Sequence, residues 1–269
     1  MKKSIVTALL ALVCAAGLAQ TTVKGHVVNE KGESVEYVSV GIEEDSVGVI
    51  SDAKGYFTIT IPKGRKEDIS FSHVSYQAST LPYREYASGK ELTVVLKDKV
   101  VELTEVVIGK KNKPQTIAGK ALSGPVASFR GKGKQKGTEW GPVFKSKRDY
   151  AVSDILLKIK GSTYKWCVLS FNIYEVKGGK FHNILNKPIY YRLDNPSTKV
   201  QIDVRPEETI LLKGKQKYYI SVAVVDSDAY GMLEMQSEFK SSYARSFAKG
   251  KIRKLPVGPA ILVKGYEVE

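Results

Sequence analysis

The chain has 269 residues, of which 42% are hydrophobic and 26% charged, with 42 Lys+Arg against 28 Asp+Glu and two cysteines. A chain of this length buries roughly 70–75% of its unfolded surface when it folds, and the apolar fraction is too high for a disordered polymer. Two cysteines exclude a disulfide-stapled scaffold, and the net charge of +14 raises a nucleic-acid or anionic-surface partner that the placement of the charge must decide.

Lys2 and Lys3 precede an apolar run at 5–13 and small residues leading to Gly17, Leu18 and Ala19. These are the three parts of a secretory signal peptide, with residues 1–19 removed after Ala19. No later stretch approaches the about 20 apolar residues of a membrane-spanning helix. The mature chain is therefore expected without a transmembrane segment, in the periplasm, at the outer membrane or outside the cell, where nucleic acid is not the partner. Lipidation at Cys14 is disfavoured, because Val13 stands where a small residue is wanted and Ala11 where a branched apolar one is wanted. Cys167, in the run Trp166-Cys167-Val168-Leu169, reads as a small buried hydrophobe.

Residues 20–109 carry short alternating runs separated by turn residues, the pattern of a β-sandwich. Val38, Val40 and Ile42 alternate with Ser39, Gly41 and Glu43, and Phe57, Ile59 and Ile61 alternate with Thr58 and Thr60. Lys31-Gly32 and Asp52-Ala53-Lys54-Gly55 supply tight reversals. The order Val23-Lys24-Gly25-His26-Val27-Val28, Gly32, Val38-Ser39-Val40, Gly48, Ser51-Asp52, Gly55-Tyr56-Phe57 and the run 69–76 resembles the carboxypeptidase-regulatory-like domain, a small transthyretin-like sandwich. The run 103–108 fits its closing strand. The resemblance covers about a third of the chain and implies an accessory domain of the kind that precedes other modules in secreted Bacteroidetes proteins. Its departure is His73, where a glycine often stands.

From Lys110 to Arg148 there are eleven basic residues and one acid, Glu139, with many Gly and Pro. The stretch 110–139 is expected to be a basic linker. Residues 140–269 return to strands, and the whole chain reads as all-β, with a second β-sandwich of jelly-roll type. Ile155, Leu157 and Ile159 share one strand face, as do Leu169, Phe171 and Ile173. Further strands are expected at 189–192, 199–204, 218–225, 232–239 and 261–268. The run 171–175 with 183–185 and 188–190 resembles an uncharacterised C-terminal module of secreted Bacteroidetes proteins, which implies an architecture and no mechanism.

Catalytic zinc needs three protein ligands, usually His with Glu or Asp. His26, His73 and His182 are the three histidines, and none has a Glu three residues on, so the peptidase resemblance is to the accessory domain. His26 is expected to be solvent-exposed, and His73, sharing a face with Ile69 and Phe71, to be a hydrogen-bonded core or rim residue. Asp226 and Asp228 with Gly231 copy part of a calcium loop, yet Tyr230 and Ser237 stand where ligands belong. A turn between two strands accounts for them, and no metal or cofactor is expected. The adjacent pairs Tyr190-Tyr191 and Tyr218-Tyr219 should each place one ring on the outer face of a strand, forming a platform for a sugar or a protein, with cross-strand sheet stabilisation as the competing explanation. Lys132, Lys134 and Lys136 are candidates for peripheral contact with an anionic outer-membrane surface. These readings converge on a non-catalytic exported envelope or surface protein that binds a protein or glycan partner. The alternatives are a hydrolase assembled from loops of the second domain and an adaptor of an outer-membrane polysaccharide-uptake system.

Overall fold

The computed structural model describes residues 20–42, 47–99, 113–120, 124–130, 137–195, 200–246 and 252–268. Residues 1–19, where a leader is expected, with Cys14, the run 103–108, and Lys132, Lys134 and Lys136 lie outside the described residues.

The first domain is built from β1 (Thr21–Asn29), β2 (Ser39–Ile42), β3 (Gly48–Ile50), β4 (Tyr56–Ile61), β5 (Ile69–Ser72), β6 (Ser79–Leu81) and β7 (Leu92–Leu96). One sheet has the order β4-β1-β7 and the other β3-β2-β5-β6. β1 runs antiparallel to β4 and parallel to β7. In β4, Phe57, Ile59 and Ile61 are buried while Tyr56, Thr58 and Thr60 face solvent, as a strand with one wet face requires. Phe57 meets Phe71 of the opposite sheet edge-on at 5.4 Å, and valines and isoleucines of both sheets complete the core. The reversal before β4 is closed by Asp52, whose Oδ1 accepts the amides of Lys54 (2.9 Å) and Tyr56 (2.8 Å). Gly55 ends that turn at φ +78°, with the Val27 carbonyl oxygen 2.5 Å from where a Cβ would sit. A side chain is excluded there on both counts.

The second domain comprises β8 (Gln115–Ala118), β9 (Val126–Arg130), β10 (Thr138–Lys145), β11 (Tyr150–Ser162), β12 (Trp166–Lys177), β13 (Lys180–Asn183), β14 (Ile189–Asp194), β15 (Val200–Val204), β16 (Leu211–Leu212), β17 (Lys217–Ser227), β18 (Met232–Ser246), β19 (Arg253–Pro259) and β20 (Leu262–Glu267). Among the described residues they form one continuous antiparallel path, β13-β12-β17-β10-β18-β11-β20-β8, with the remaining strands pairing alongside. β18 joins its two halves: residues 232–236 pair with β9, and 237–244 pair with β19. The path folds over a large core to which Ile155, Leu157, Ile159, Leu169, Phe171 and Ile173 contribute, the inward faces expected from their alternation.

The described parts of 110–139 correct the linker reading. β8 pairs with β20 and β9 with β18, each as an edge strand. Edges tolerate the Lys, Gly and Pro that a central strand rejects, so an edge resembles a linker in composition.

Candidate functional site

Where the two domains meet, their side chains line a half-open cavity of about 240 Å³. The first domain contributes the loop after β5 and the turn before β2. The loop ends β5 by folding back, with Tyr76 N–H donating to the His73 carbonyl (3.3 Å), which holds the imidazole against the second domain. Ser75 N–H donates to His73 Nδ1 (3.3 Å), so the ring proton resides on Nε2, which faces Tyr190 Oη at 3.4 Å. Burial lowers the His73 pKa to about 4, and the imidazole is neutral at ordinary pH.

Tyr37 stands beside it with φ +52°. This left-handed conformation costs a residue with a Cβ roughly 1–2 kcal/mol. It is held by two neighbours: Tyr37 N–H donates to the Asp52 carbonyl (3.3 Å), and Val38 N–H donates to Ser51 Oγ (2.8 Å). The strained backbone sets the Tyr37 ring edge-on to Tyr190, 5.0 Å between centroids. Burial, then the nearby charges of Asp226 and Glu36, push the Tyr37 phenol up to about 12. Burial likewise raises Tyr190, so both hydroxyls keep their protons.

The opposite wall is β12. Its odd positions enter the core, and its even positions Ser170, Asn172 and Tyr174 line the cavity while only 6%, 5% and 4% exposed. They are satisfied in series. Asn183 Nδ2 donates to Asn172 Oδ1 (3.0 Å), Asn172 Nδ2 to Ser170 Oγ (3.2 Å), and Leu185 N–H to Asn183 Oδ1 (2.9 Å). Beyond them lies Glu139, fully buried. Its Oε2 accepts Tyr174 Oη–H (3.0 Å) and Ser221 Oγ–H (2.6 Å), and its Oε1 accepts Arg245 Nε–H. Arg245 Cζ lies 4.4 Å from the Tyr174 ring centroid and 5.5 Å from that of Phe181. Burial opposes the Arg245 charge, and Glu139 acting together with Tyr174 and Tyr219 outweighs it and raises the pKa. A close approach supports this floor: a Cβ on Gly141 would fall 1.7 Å from the Ile220 carbonyl oxygen, so only glycine lets β10 bring Glu139 this near β17.

Residues 23–108 match the CarboxypepD_reg-like domain family. The CarboxypepD_reg-like domain thus supplies Tyr37 and His73, while Asn172, Tyr190 and Arg245 come from the domain beyond it. No curated protein matches the chain. Among solved structures, a clostridial cysteine protease after propeptide cleavage aligns with TM-score 0.37 and 10% identity, covering 85% of this chain and 56% of that one. The cysteine protease and lectin-like domains of a surface-layer-associated protein of Clostridium difficile align with TM-score 0.37 and 10% identity, over 85% and 50%. Infectious bursal disease virus, Gt strain, aligns with TM-score 0.28 and 10% identity, over 93% and 60%. The chain spans about half the length of the protease chains, and likeness at these scores bears on neither fold nor function.

Of the four candidate tyrosines, one of each pair expected on an outer face, Tyr190 reaches the cavity next to the CarboxypepD_reg-like domain and the others do not. Tyr218 and Tyr219 are 3% and 0% exposed, because β17 is covered on both faces. Tyr218 joins the main core, and Tyr219 packs on Tyr174 and donates its hydroxyl to the Tyr243 carbonyl (3.0 Å). Tyr191 packs against the main core from its rim. Asp228 Oδ1 accepts the amides of Lys165 (3.1 Å) and Trp166 (3.4 Å), and Asp226 Oδ1 accepts that of Ser227 (2.9 Å), so both carboxylates brace a turn. Among the described residues no group of three His, Cys, Asp or Glu is placed to hold a metal ion. His26 is half-buried, stacked on Tyr56 at 4.4 Å, rather than exposed. Cys167 is buried, and desolvation, then Asp228 and Asp194, push its thiol up to about 12. Sequence reasoning missed Arg245, Asn172 and Glu139. Glu139 carried a signal, as the lone acid of the basic stretch and the neighbour of Trp140 at the start of a strand run.

Proposed function

We propose that this protein is a non-catalytic, exported binding module that takes a single sugar residue of a glycan in the cavity between its CarboxypepD_reg-like domain and its C-terminal β-domain. The cavity itself carries the reading. At about 240 Å³ it lies below the roughly 300–1,000 Å³ of sites for drug-sized ligands, which suits one ring rather than a folded partner. The edges and faces of Tyr37, Tyr190 and Phe181 offer apolar contact to the C–H face of a pyranose, and Ser170, Asn172, Asn183 and neutral His73 offer hydrogen bonds to its hydroxyls. A regulatory-like domain supports an accessory or binding role, and the signal-peptide pattern of residues 1–19 supports export. The Cys167 thiol, held protonated in the core, is not a nucleophile.

A glycan array probed with the mature protein tests this. Tyr190→Ala and Asn172→Ala should each weaken retention at least tenfold, while Tyr230→Ala, changing a ring 78% exposed and outside the cavity, should leave it unchanged. Failure of any glycan to bind, or binding indifferent to both cavity variants, overturns the reading.

A further inference from the structure

Arg245 is the one cationic side chain among the described residues that line the cavity, and no Asp or Glu lines it. Its counter-charge stands behind it. Glu139 is 0% exposed, whereas the Arg245 side chain is 19% exposed, so the guanidinium is the part of the pair that meets the cavity. The carboxylate oxygens are already occupied, Oε1 by Arg245 and Oε2 by Tyr174 and Ser221. Glu139 therefore orients the guanidinium without presenting an acceptor to a ligand.

A guanidinium has five N–H donors in a fixed plane, and Nε–H is the one spent on Glu139. Cζ lies 4.4 Å from the Tyr174 centroid and 5.5 Å from that of Phe181, and the two rings stand at 82° to one another, so the guanidinium sits in an aromatic corner with Nη donors beyond the Nε–H given to Glu139. An oriented guanidinium edge is matched by the two oxygens of a carboxylate. The amides of Asn172 and Asn183, which line the same cavity, are locked by their own hydrogen bonds, so fixed amide donors and acceptors share the cavity with the cation. Asp226, Glu36 and Asp52 act on Tyr37 without lining the cavity.

We infer that the sugar taken by the cavity is an acidic one, a uronic acid whose carboxylate is held by the edge of Arg245 while Asn172 and Asn183 bind its hydroxyls. This rests on the cavity being the saccharide site.

Calorimetric titration with a D-glucuronate-terminated disaccharide, its methyl ester, the D-glucose counterpart and a D-glucose 6-sulfate counterpart tests it on the native protein. The free acid should bind at least tenfold more tightly than the ester, the neutral sugar or the sulfate. Equal affinity for acid and ester overturns the carboxylate assignment and leaves the saccharide site standing; preference for the sulfate overturns it in favour of a sulfated sugar. No binding of any of the four overturns both. Arg245→Gln alone would orphan a buried carboxylate, so the companion variant is Glu139→Gln with Arg245→Gln, which keeps neutral hydrogen-bonding groups at both positions. The folded double variant should lose the tenfold preference for acid over ester, and retention of that preference overturns the role of Arg245.

Discussion

β4 and β12 are both strands of buried sandwiches, and they read differently because they are covered differently. β4 alternates, with Phe57, Ile59 and Ile61 inside and Tyr56, Thr58 and Thr60 in water. β12 is buried from Cys167 to Tyr174 without a break, and β17 from Tyr218 to Val225. On β12 the inward face is hydrocarbon, and the other face is Ser170, Asn172 and Tyr174, each with a hydrogen-bond partner. Polar residues on a second buried face are costly unless satisfied. Their presence there marks where the molecule has given up packing for a polar cavity.

The sharpest way to break this comparison is to orphan the charge at the cavity floor. Glu139→Ala leaves the Arg245 guanidinium without its counter-ion in a mostly buried position, and should cost about 3–5 kcal/mol, read as a lower urea midpoint. A loss below about 1 kcal/mol would mean the pair behaves like an exposed surface bridge.

The next largest effect comes from pH. The folded His73 pKa of about 4 lies below the unfolded value of 6.5, so as pH falls the unfolded chain takes up the proton first. The stability contributed by the neutral ring is complete above about pH 6.5, declines down to about pH 4, and is flat below. The total is about 3 kcal/mol. Since carboxylates also respond to acid, the test is the difference between the native protein and His73→Gln in urea unfolding at pH 7 and pH 4.5. The variant should lose less stability between the two, and parallel losses would show that the ring is solvated.

Smaller effects probe the two faces directly. Asn172→Ala removes the acceptor of Asn183 and the donor to Ser170, and should cost about 1–3 kcal/mol. Thr58→Ala, on the wet face of β4, should stay within about 0.5 kcal/mol. Comparable costs at the two positions would erase the distinction between the strands.

Much of the first domain was legible because one wet face per strand writes a period of two into the sequence. The turn at Asp52 and Gly55 was equally plain, since its chemistry is local. The core-facing alternation of Leu169, Phe171 and Ile173 and the strands near 189, 200, 218, 232 and 262 were legible for the same reason. Tyr218 and Tyr219 were misread because adjacent residues on a doubly covered strand are both buried, and a single sequence does not show what lies over the second face. The strands at Gln115–Ala118 and Val126–Arg130 were hidden by edge composition. The site was least legible: Tyr37 and His73 are separated from Tyr190 and Arg245 by more than a hundred residues and by a domain boundary, and nothing local links them. The charge reading was sharpened too. The basic excess of 110–148 partly decorates strand edges, while the cation that lines the cavity between the domains is Arg245, held on the long strand β18.

The central claim is that the cavity between the domains binds sugar. The histidines report on it without any mutation, since His73 lines the cavity while His26 is stacked on Tyr56 and His182 points to solvent on β13. Carbon–proton NMR of the three imidazoles during titration with a glucuronate-terminated disaccharide is the most direct measurement. The account predicts that the His73 resonances move in a saturable way while those of His26 and His182 stay in place. Saturable binding that leaves His73 unmoved, or no response from any imidazole up to high sugar concentration, would contradict it.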